Sequence, residues 1–298
     1  MKMYIKEISH HPKFYISKFT KNHNLPYVVF IHGGPGLNCG IMEYLIQYRN
    51  LFASLNCNIV LYDQRNCGRS KKTSSHVQHQ DNIDDLQEII THLADTYKLK
   101  ISALIGHSYG AKVLFDYYKN FSSLIPGIFV ATANSILTPR LNNLMIDLSY
   151  LKRTNFEQYN KLFNKINSRD LNKIWEISEE LSPLFQENQE RIYYYWANLE
   201  SLNTVQEAQK QINLPVNLET FISIRKDLYS NQSNFSVDID TLAISKLWIN
   251  GFHDFVMNGH EVMMSNSKIT TFYHSSHYPH IEENDRFNGL LNEFIKNP

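Results

Sequence analysis

The hydrophobic pattern changes period along the chain. Residues 14–20 alternate apolar and polar like a half-exposed strand. Tyr27–Ile31 (Y-V-V-F-I) is a short β-branched and aromatic run, as a buried strand carries. Asn58–Tyr62 predicts another strand, and residues 33–36 and 63–70 predict loops at the ends of the two runs. Ile83, Leu86, Ile90, Leu93 and Tyr97 then fall at helical spacing. A strand over 101–105 leads into a helix over 111–119, and 127–132 predicts a further strand. Strand and helix in alternation imply a mostly parallel sheet covered on both faces.

The rhythm breaks near Asn134. Up to about Asn234 the chain is rich in Leu, Asn, Glu, Lys and Tyr, and strand runs are scarce. Residues 188–202 are its clearest helical piece, with Ile192, Tyr195, Trp196 and Leu199 on one face. Strands over 243–250 and 268–273 and a closing amphipathic helix through Phe287, Leu290, Leu291, Phe294 and Ile295 resume the α/β pattern. The expected organisation is an α/β core over 1–134 and 236–298, interrupted by a helical cap over 135–235.

Composition narrows the function classes. The chain has 298 residues, 29 Lys plus Arg and 29 Asp plus Glu, so its formal net charge is zero. Nothing in that balance calls for nucleic acid or an anionic membrane as partner. No apolar run approaches the ~20 residues that cross a bilayer, and residues 1–19 have no continuous apolar stretch like that of a signal peptide. A soluble cytoplasmic protein is the expectation. Cys39, Cys57 and Cys67 form no C-x-x-C pair, so three free thiols are expected, without a disulfide framework or a zinc site. The sequence does not set an oligomeric state.

The chemistry begins at Gly106-His107-Ser108-Tyr109-Gly110, a G-x-S-x-G between a predicted strand and a predicted helix. A serine on such a sharp turn has its Oγ lifted clear of the sheet, and the turn demands small residues two positions either side. Gly106 and Gly110 meet that demand. Ser108 is therefore the candidate nucleophile, and the N–H of Tyr109, at the helix start, a candidate oxyanion donor. His32-Gly33-Gly34-Pro35-Gly36 follows an earlier strand, and its glycines allow backbone to approach a substrate closely. The N–H of Gly34 is the second candidate donor. An acid and a histidine should follow the nucleophile in that order. Asp254 lies beyond a strand ending at Gly251 and is the candidate acid. Asp238 and Asp240 precede that strand, at its wrong end. His274, His277 and His280 compete for the base, and His277 is preferred because it stands just before the last helix. Asp63 and Arg65, in the polar turn 63–70, are expected to brace the loop beside the oxyanion donors. Cys67 lacks a partner base.

These motifs together, H-G-G-P-G at 32–36, D-Q-R-N-C-G-R-S at 63–70 and G-H-S-Y-G at 106–110, resemble the prolyl iminopeptidase family of α/β hydrolases. H-Y-P-H-I-E at 277–282 is similar to the wider superfamily's pattern around its histidine. The resemblance implies the α/β-hydrolase fold, with a mostly parallel sheet flanked by helices and an inserted helical cap. It implies Ser108 as nucleophile, Asp254 as acid, His277 as base, Gly34 and Tyr109 as oxyanion donors, and no metal or organic cofactor. The family uses cap glutamates to bind a substrate's free amine. Glu200, in W-A-N-L-E, looks a little like such a position, and Glu187, Glu190, Glu207 and Glu219 are also available. Asn66 stands where the family often has Gly, and Asn is well suited to a left-handed turn. Ser276 stands where a Gly commonly precedes the histidine.

Three functions compete. The first is an aminopeptidase releasing N-terminal proline or a small residue from short peptides through an acyl-enzyme. The second is a carboxylesterase acting on small or acyl esters, with Tyr193, Tyr194, Tyr195 and Trp196 available to line an apolar pocket. The third is a non-catalytic ligand-binding protein on a hydrolase scaffold.

Overall fold

One eight-stranded sheet runs through the computed structural model, which describes residues 4–166, 171–181, 188–230, 236–257 and 269–297. Its strands are β1 (Ile5–Ser9), β2 (Ile16–Thr20), β3 (Tyr27–Ile31), β4 (Asn58–Tyr62), β5 (Ile101–His107), β6 (Gly127–Val130), β7 (Lys246–Gly251) and β8 (Ile269–Phe272). They lie in the order β1-β2-β4-β3-β5-β6-β7-β8. β1 and β2 pair antiparallel, as do β2 and β4, and every pair from β4 to β8 is parallel. The described helices are α1 (Gly40–Tyr48), α2 (His79–Tyr97), α3 (Tyr109–Asn120), α4 (Leu137–Thr154), α5 (Phe156–Ile166), α6 (Leu171–Glu180), α7 (Leu199–Ile212), α8 (Leu218–Ser230), the single turn α9 (Pro279–Glu282) and α10 (Asn284–Lys296).

Successive strand residues face opposite sides of a sheet, and this splits the core in two. Tyr27, Val29 and Ile31 of β3 pack with Ile83, Leu86 and Leu93 of α2 and with Val113 and Leu114 of α3. Val28 and Phe30 pack on the other side with Met42, Leu45 and Ile46 of α1 and Phe287 and Leu291 of α10. Both faces of β3 are therefore covered, which is why Y-V-V-F-I carries no polar position. After β3 the chain crosses to β4 on one side and then to β5 on the other. The crevice beyond the C-terminal ends of β3 and β5 is the switch point where such sheets bind ligands.

Between β6 and β7 every described element is helical, and the bridge Ser135–Ser236 draws the two ends of this insertion together. α4 to α6 share a separate small core of Leu144, Leu148, Leu151, Leu162, Ile177 and Leu181. The later half is built onto the sheet layers instead. Ile224 and Leu228 of α8 join one main core, and Ala208 of α7 joins the other.

Two local expectations change. Residues 188–202 are not one helix. A short 3-10 helix, Gln189–Tyr194, ends before Tyr195, and α7 begins only at Leu199 with the Asn198 side chain accepting the Ser201 N–H. The intervening backbone instead supplies hydrogen bonds to the 276–282 segment, described below. β1 and α1 have no counterpart in the expected pattern. β1 is an edge strand with Ile5 and Ile8 exposed, so it lacks the alternation that reports a buried face.

Candidate active site

Ser108 stands between β5 and α3 at φ 56° and ψ −119°, a left-handed conformation that an L residue holds only when its surroundings over-determine it. The surroundings here are backbone. A Cβ on Gly106 would come within 2.5 Å of the Gly110 carbonyl oxygen, and one on Gly110 within 2.2 Å of the Ile31 oxygen. Ser108 itself donates its N–H to Val130 of β6 at 2.9 Å. Tyr109 opens α3, so its N–H belongs to the first turn, whose amides have no partner within the helix.

The 32–36 loop lies directly against this turn. A Cβ on Gly33 would sit 3.1 Å from the Ser108 Cβ. His32 holds the loop from beneath. Its Nε2 accepts the Gln64 N–H at 3.1 Å, so the proton is on Nδ1, which donates to the Gly33 oxygen at 2.8 Å. Burial pulls the His32 pKa down, which keeps that neutral tautomer. Gly34 has φ +129° and Gly36 φ +84°. Asn217, just before α8, donates its N–H to the Gly36 oxygen and its Nδ2 to the Asn66 oxygen, at 2.9 and 2.7 Å. The helical layer thus fastens both loops.

The acid and base candidates meet. Asp254 Oδ2 accepts from His277 Nδ1 at 2.8 Å, and both side chains are buried. Asp254 Oδ1 accepts the N–H groups of Val256 and Met257, at 3.1 and 3.0 Å, which fixes the carboxylate plane. His107, the neighbour of Ser108, points Nε2 at the His277 carbonyl at 2.8 Å, and the two rings lie 5.0 Å apart. The other histidines part from the site. His280 packs against His107 and Phe30, and burial pushes its pKa down to about 3. His274 is exposed and gives its backbone N–H to Glu283. His253 gives its backbone N–H to the Ser275 oxygen.

The segment 274–278, which carries the candidate base, runs close over β7. A Cβ on Gly251 would fall 2.0 Å from the Ser276 oxygen. Gly251→Ala should therefore displace the segment carrying His277. The expected result is a loss of at least about 1–3 kcal/mol of stability, the usual cost of overpacking, together with loss of turnover. Denaturant unfolding and a rate assay read both; unchanged values would mean that the close approach is not required.

In the 63–70 turn, Asp63 accepts the Cys39 N–H and the Arg69 N–H and Nε at 2.8, 2.8 and 2.9 Å, bracing the loops as expected. Arg65 does something else. It spans Asp85 and Asp81 and so pins the turn to α2. Asn66 takes φ 59°, the left-handed turn its type suits. All three cysteines are free and buried. Burial, aided by Asp63, pushes the Cys67 thiol up to about 12, which removes the thiolate a cysteine nucleophile needs. Among the described residues no cluster of three or more His, Cys, Asp or Glu forms a metal site, and no helix is long and apolar enough to cross a membrane.

On the helical side, the Tyr195 ring lies 5.1 Å from the His277 ring, and Trp196 stacks on Tyr278 at 4.3 Å. Tyr195 OH reaches Asn143 Oδ1 at 3.2 Å, which also accepts from Arg191 at 2.7 Å. Arg191 lies 3.5 Å from Asp147, a buried α4 carboxylate whose pKa burial raises. No sequence signal marked Asp147 or Asn143, since each sits at an ordinary helical position. Glu200 is exposed in the first turn of α7. Glu190 and Glu207 pair with Arg153 and Arg49, and Glu219 with Lys72. Glu187 lies outside the described residues.

Comparison with known proteins agrees with this architecture. The family model described as alpha/beta hydrolase fold matches residues 26–283. A proline iminopeptidase of Saccharolobus solfataricus is 25% identical over 295 residues, covering 92% of this chain and 85% of that one. One from Thermoplasma volcanium is 23% identical over 283 residues, covering 89% and 87%. The crystal structure of a proline iminopeptidase-related protein from Thermus thermophilus superposes with a TM-score of 0.68 at 16% identity over 98% of both chains. An esterase from Exiguobacterium antarcticum gives 0.60 at 15% identity, over 99% of this chain and 100% of that one. The chain belongs to the α/β-hydrolase fold family.

Proposed function

We propose that this chain is a serine hydrolase of prolyl iminopeptidase type, releasing N-terminal proline or a small residue from short peptides. The observation that carries the reading is the buried Asp254–His277 hydrogen bond, with the His277 carbonyl bonded to His107, the neighbour of a serine held at φ 56°. In the proposed reaction Ser108 Oγ attacks the scissile carbonyl and His277 Nε2 takes its proton. Asp254 holds the Nδ1–H tautomer and stabilises the imidazolium as it forms. The N–H groups of Gly34 and Tyr109 receive the oxyanion. His277 then protonates the leaving amine, and water, activated by the same imidazole, hydrolyses the acyl-enzyme. No metal or organic cofactor enters these steps.

A peptidase of this kind needs a carboxylate for the substrate's amine. An exposed carboxylate such as Glu200 is screened by water. Asp147 is buried beside Arg191 and Asn188, and Arg191, Asn143 and Tyr195 connect it to the His277 ring, which supports Asp147 as the carboxylate that receives the amine. Asp147→Asn is expected to raise KM for a proline arylamide about tenfold, as loss of one charged hydrogen bond does, and to leave KM for a short-chain aryl ester unchanged. Equal changes with both substrates would make Asp147 a structural residue.

The second reading is a carboxylesterase, favoured by the aromatic surface that Tyr195 and Trp196 present beside His277 and Tyr278. Measuring kcat/KM on a proline arylamide and a short-chain aryl ester in one buffer separates the two. Efficient amide cleavage supports the peptidase. Aryl esters are labile enough for any working triad, so ester turnover alone does not discriminate; ester turnover with no amide turnover selects the carboxylesterase.

A further inference from the structure

His277 stands on a segment whose backbone is held largely from outside the sheet. The Ser276 N–H donates to Glu282 Oε2 at 2.7 Å, and the His277 N–H donates to the Tyr195 oxygen at 3.1 Å. The Ser276 hydroxyl lies 3.1 Å from the Tyr194 oxygen and 3.0 Å from the His253 oxygen. Three of these partners need explaining together: two carbonyls of the helical layer and one carboxylate.

Glu282 is the piece that joins them. Its Oε1 accepts the N–H groups of Ala197 and Asn198 at 2.6 and 3.2 Å, while its Oε2 takes that of Ser276. One carboxylate therefore gathers amides from the break between the 3-10 helix and α7 and from the residue preceding the base. Between the two helices the Ala197 and Asn198 N–H groups and the Tyr195 C=O are left without helical partners and take up these bonds instead. Trp196, stacked on Tyr278 at an interplanar angle of 14°, seals the same junction. A half-buried carboxylate accepting three amides is costly unless all three bonds form. Burial is the leading influence on the Glu282 carboxyl and raises its pKa, while the backbone amides pull against it.

We propose that Glu282 is a positioning residue. It latches the 194–198 segment of the helical layer to the base segment and so sets where His277 stands relative to Ser108. The base is then aligned by the segment that also lays Tyr195 against its ring. Any substrate contact that shifts Tyr195 shifts the His277 backbone through the Tyr195 carbonyl. The proposal rests on the reading that His277 is the base.

The test uses the full chain carrying Glu282→Ala and Glu282→Gln, with a short-chain aryl ester as substrate. Competent sites are counted by titration with a fluorophosphonate run to completion. Turnover is then expressed per titrated site, and thermal unfolding is recorded. Glu282→Ala is expected to lower kcat per site about tenfold to a hundredfold, the scale of a base misplaced by about 1 Å, with KM little changed. Glu282→Gln keeps one carbonyl oxygen for Ala197 and Asn198 and should recover part of the loss. A kcat per site equal to wild type in Glu282→Ala, or a loss confined to the number of titratable sites, overturns the proposal. If Glu282→Ala does not fold, Glu282→Gln decides alone: a wild-type kcat per site overturns the latch, and a reduced one supports it. Ser108→Ala separates the two layers of the argument. Full activity in Ser108→Ala defeats the serine-hydrolase reading, whereas an inactive Ser108→Ala beside an unimpaired Glu282→Ala defeats only the latch.

Discussion

Ser108→Ala is expected to lower kcat by at least ~10⁴-fold, the scale on which loss of a triad serine acts, and to leave the fold in place. The structural half of that expectation follows from the turn. Alanine at φ 56° meets the same backbone penalty that serine already bears, because each has a Cβ. The bonds that hold the turn are main-chain ones, Ser108 N–H to Val130 and Ala111 N–H to Ser108, and both survive. A steady-state assay with a thermal melt checks the pair of statements. Turnover near wild type with an unchanged melt would remove Ser108 from the mechanism and require another nucleophile.

Asp254→Asn is expected to cost about 10⁴-fold in kcat at neutral pH, by the tautomer argument for a triad acid. The structure says why the loss should be this severe. Oδ1 is committed to two backbone donors, Val256 and Met257, so the oxygen of the substituted amide would be drawn there. Its NH2 group would then face His277 Nδ1, which must accept. Nε2 would carry the proton and could no longer take one from Ser108. The variant should melt close to wild type if the amide adopts that orientation. A loss below about tenfold in kcat would mean that His277 is oriented mainly by His107 and by the Tyr195 carbonyl, and that the acid is dispensable.

Much of the core was readable because both faces of its strands are buried. Tyr27–Ile31 and Asn58–Tyr62 show uninterrupted apolar runs, and their observed bounds coincide with the expected ones. The turn at Ser108 was readable because Gly106 and Gly110 lie so close to other backbone that a Cβ would fall within 2.5 Å and 2.2 Å of it, and only glycine meets such demands. Gly251 follows the same logic, although its role before the 274–278 segment needed the structure to be seen. The helical layer was less legible. In 188–202 the apolar residues do recur at helical spacing, yet Tyr195 and Trp196 face the His277–Tyr278 segment from a break in the helix, not from one continuous face. A period reports which residues are covered and not by what. Asp147, Asn143 and Glu282 escaped for a related reason. A polar residue on a helix normally faces water, and only long-range packing turns these three inward. Arg65 was misassigned because its partners, Asp81 and Asp85, lie on the next helix and share no local motif with it.

The segment that carries the candidate base is also tied to the helical layer. Arg49–Glu207 and Lys72–Glu219 join that layer to the core only through exposed charges, which contribute little in salt. The bonds of the Asn217 N–H to Gly36, of the His277 N–H to Tyr195, and of the Ala197, Asn198 and Ser276 N–H groups to the Glu282 carboxylate are the more durable links, and each ends on a segment that carries a candidate catalytic group.

The most direct test of the account is to treat the protein with a fluorophosphonate and map the modified peptide by mass spectrometry. The account predicts one phosphonyl group per chain, on Ser108, and none on the Ser108→Ala variant or after His277→Ala. Modification at another residue, or none in a folded sample, would contradict it.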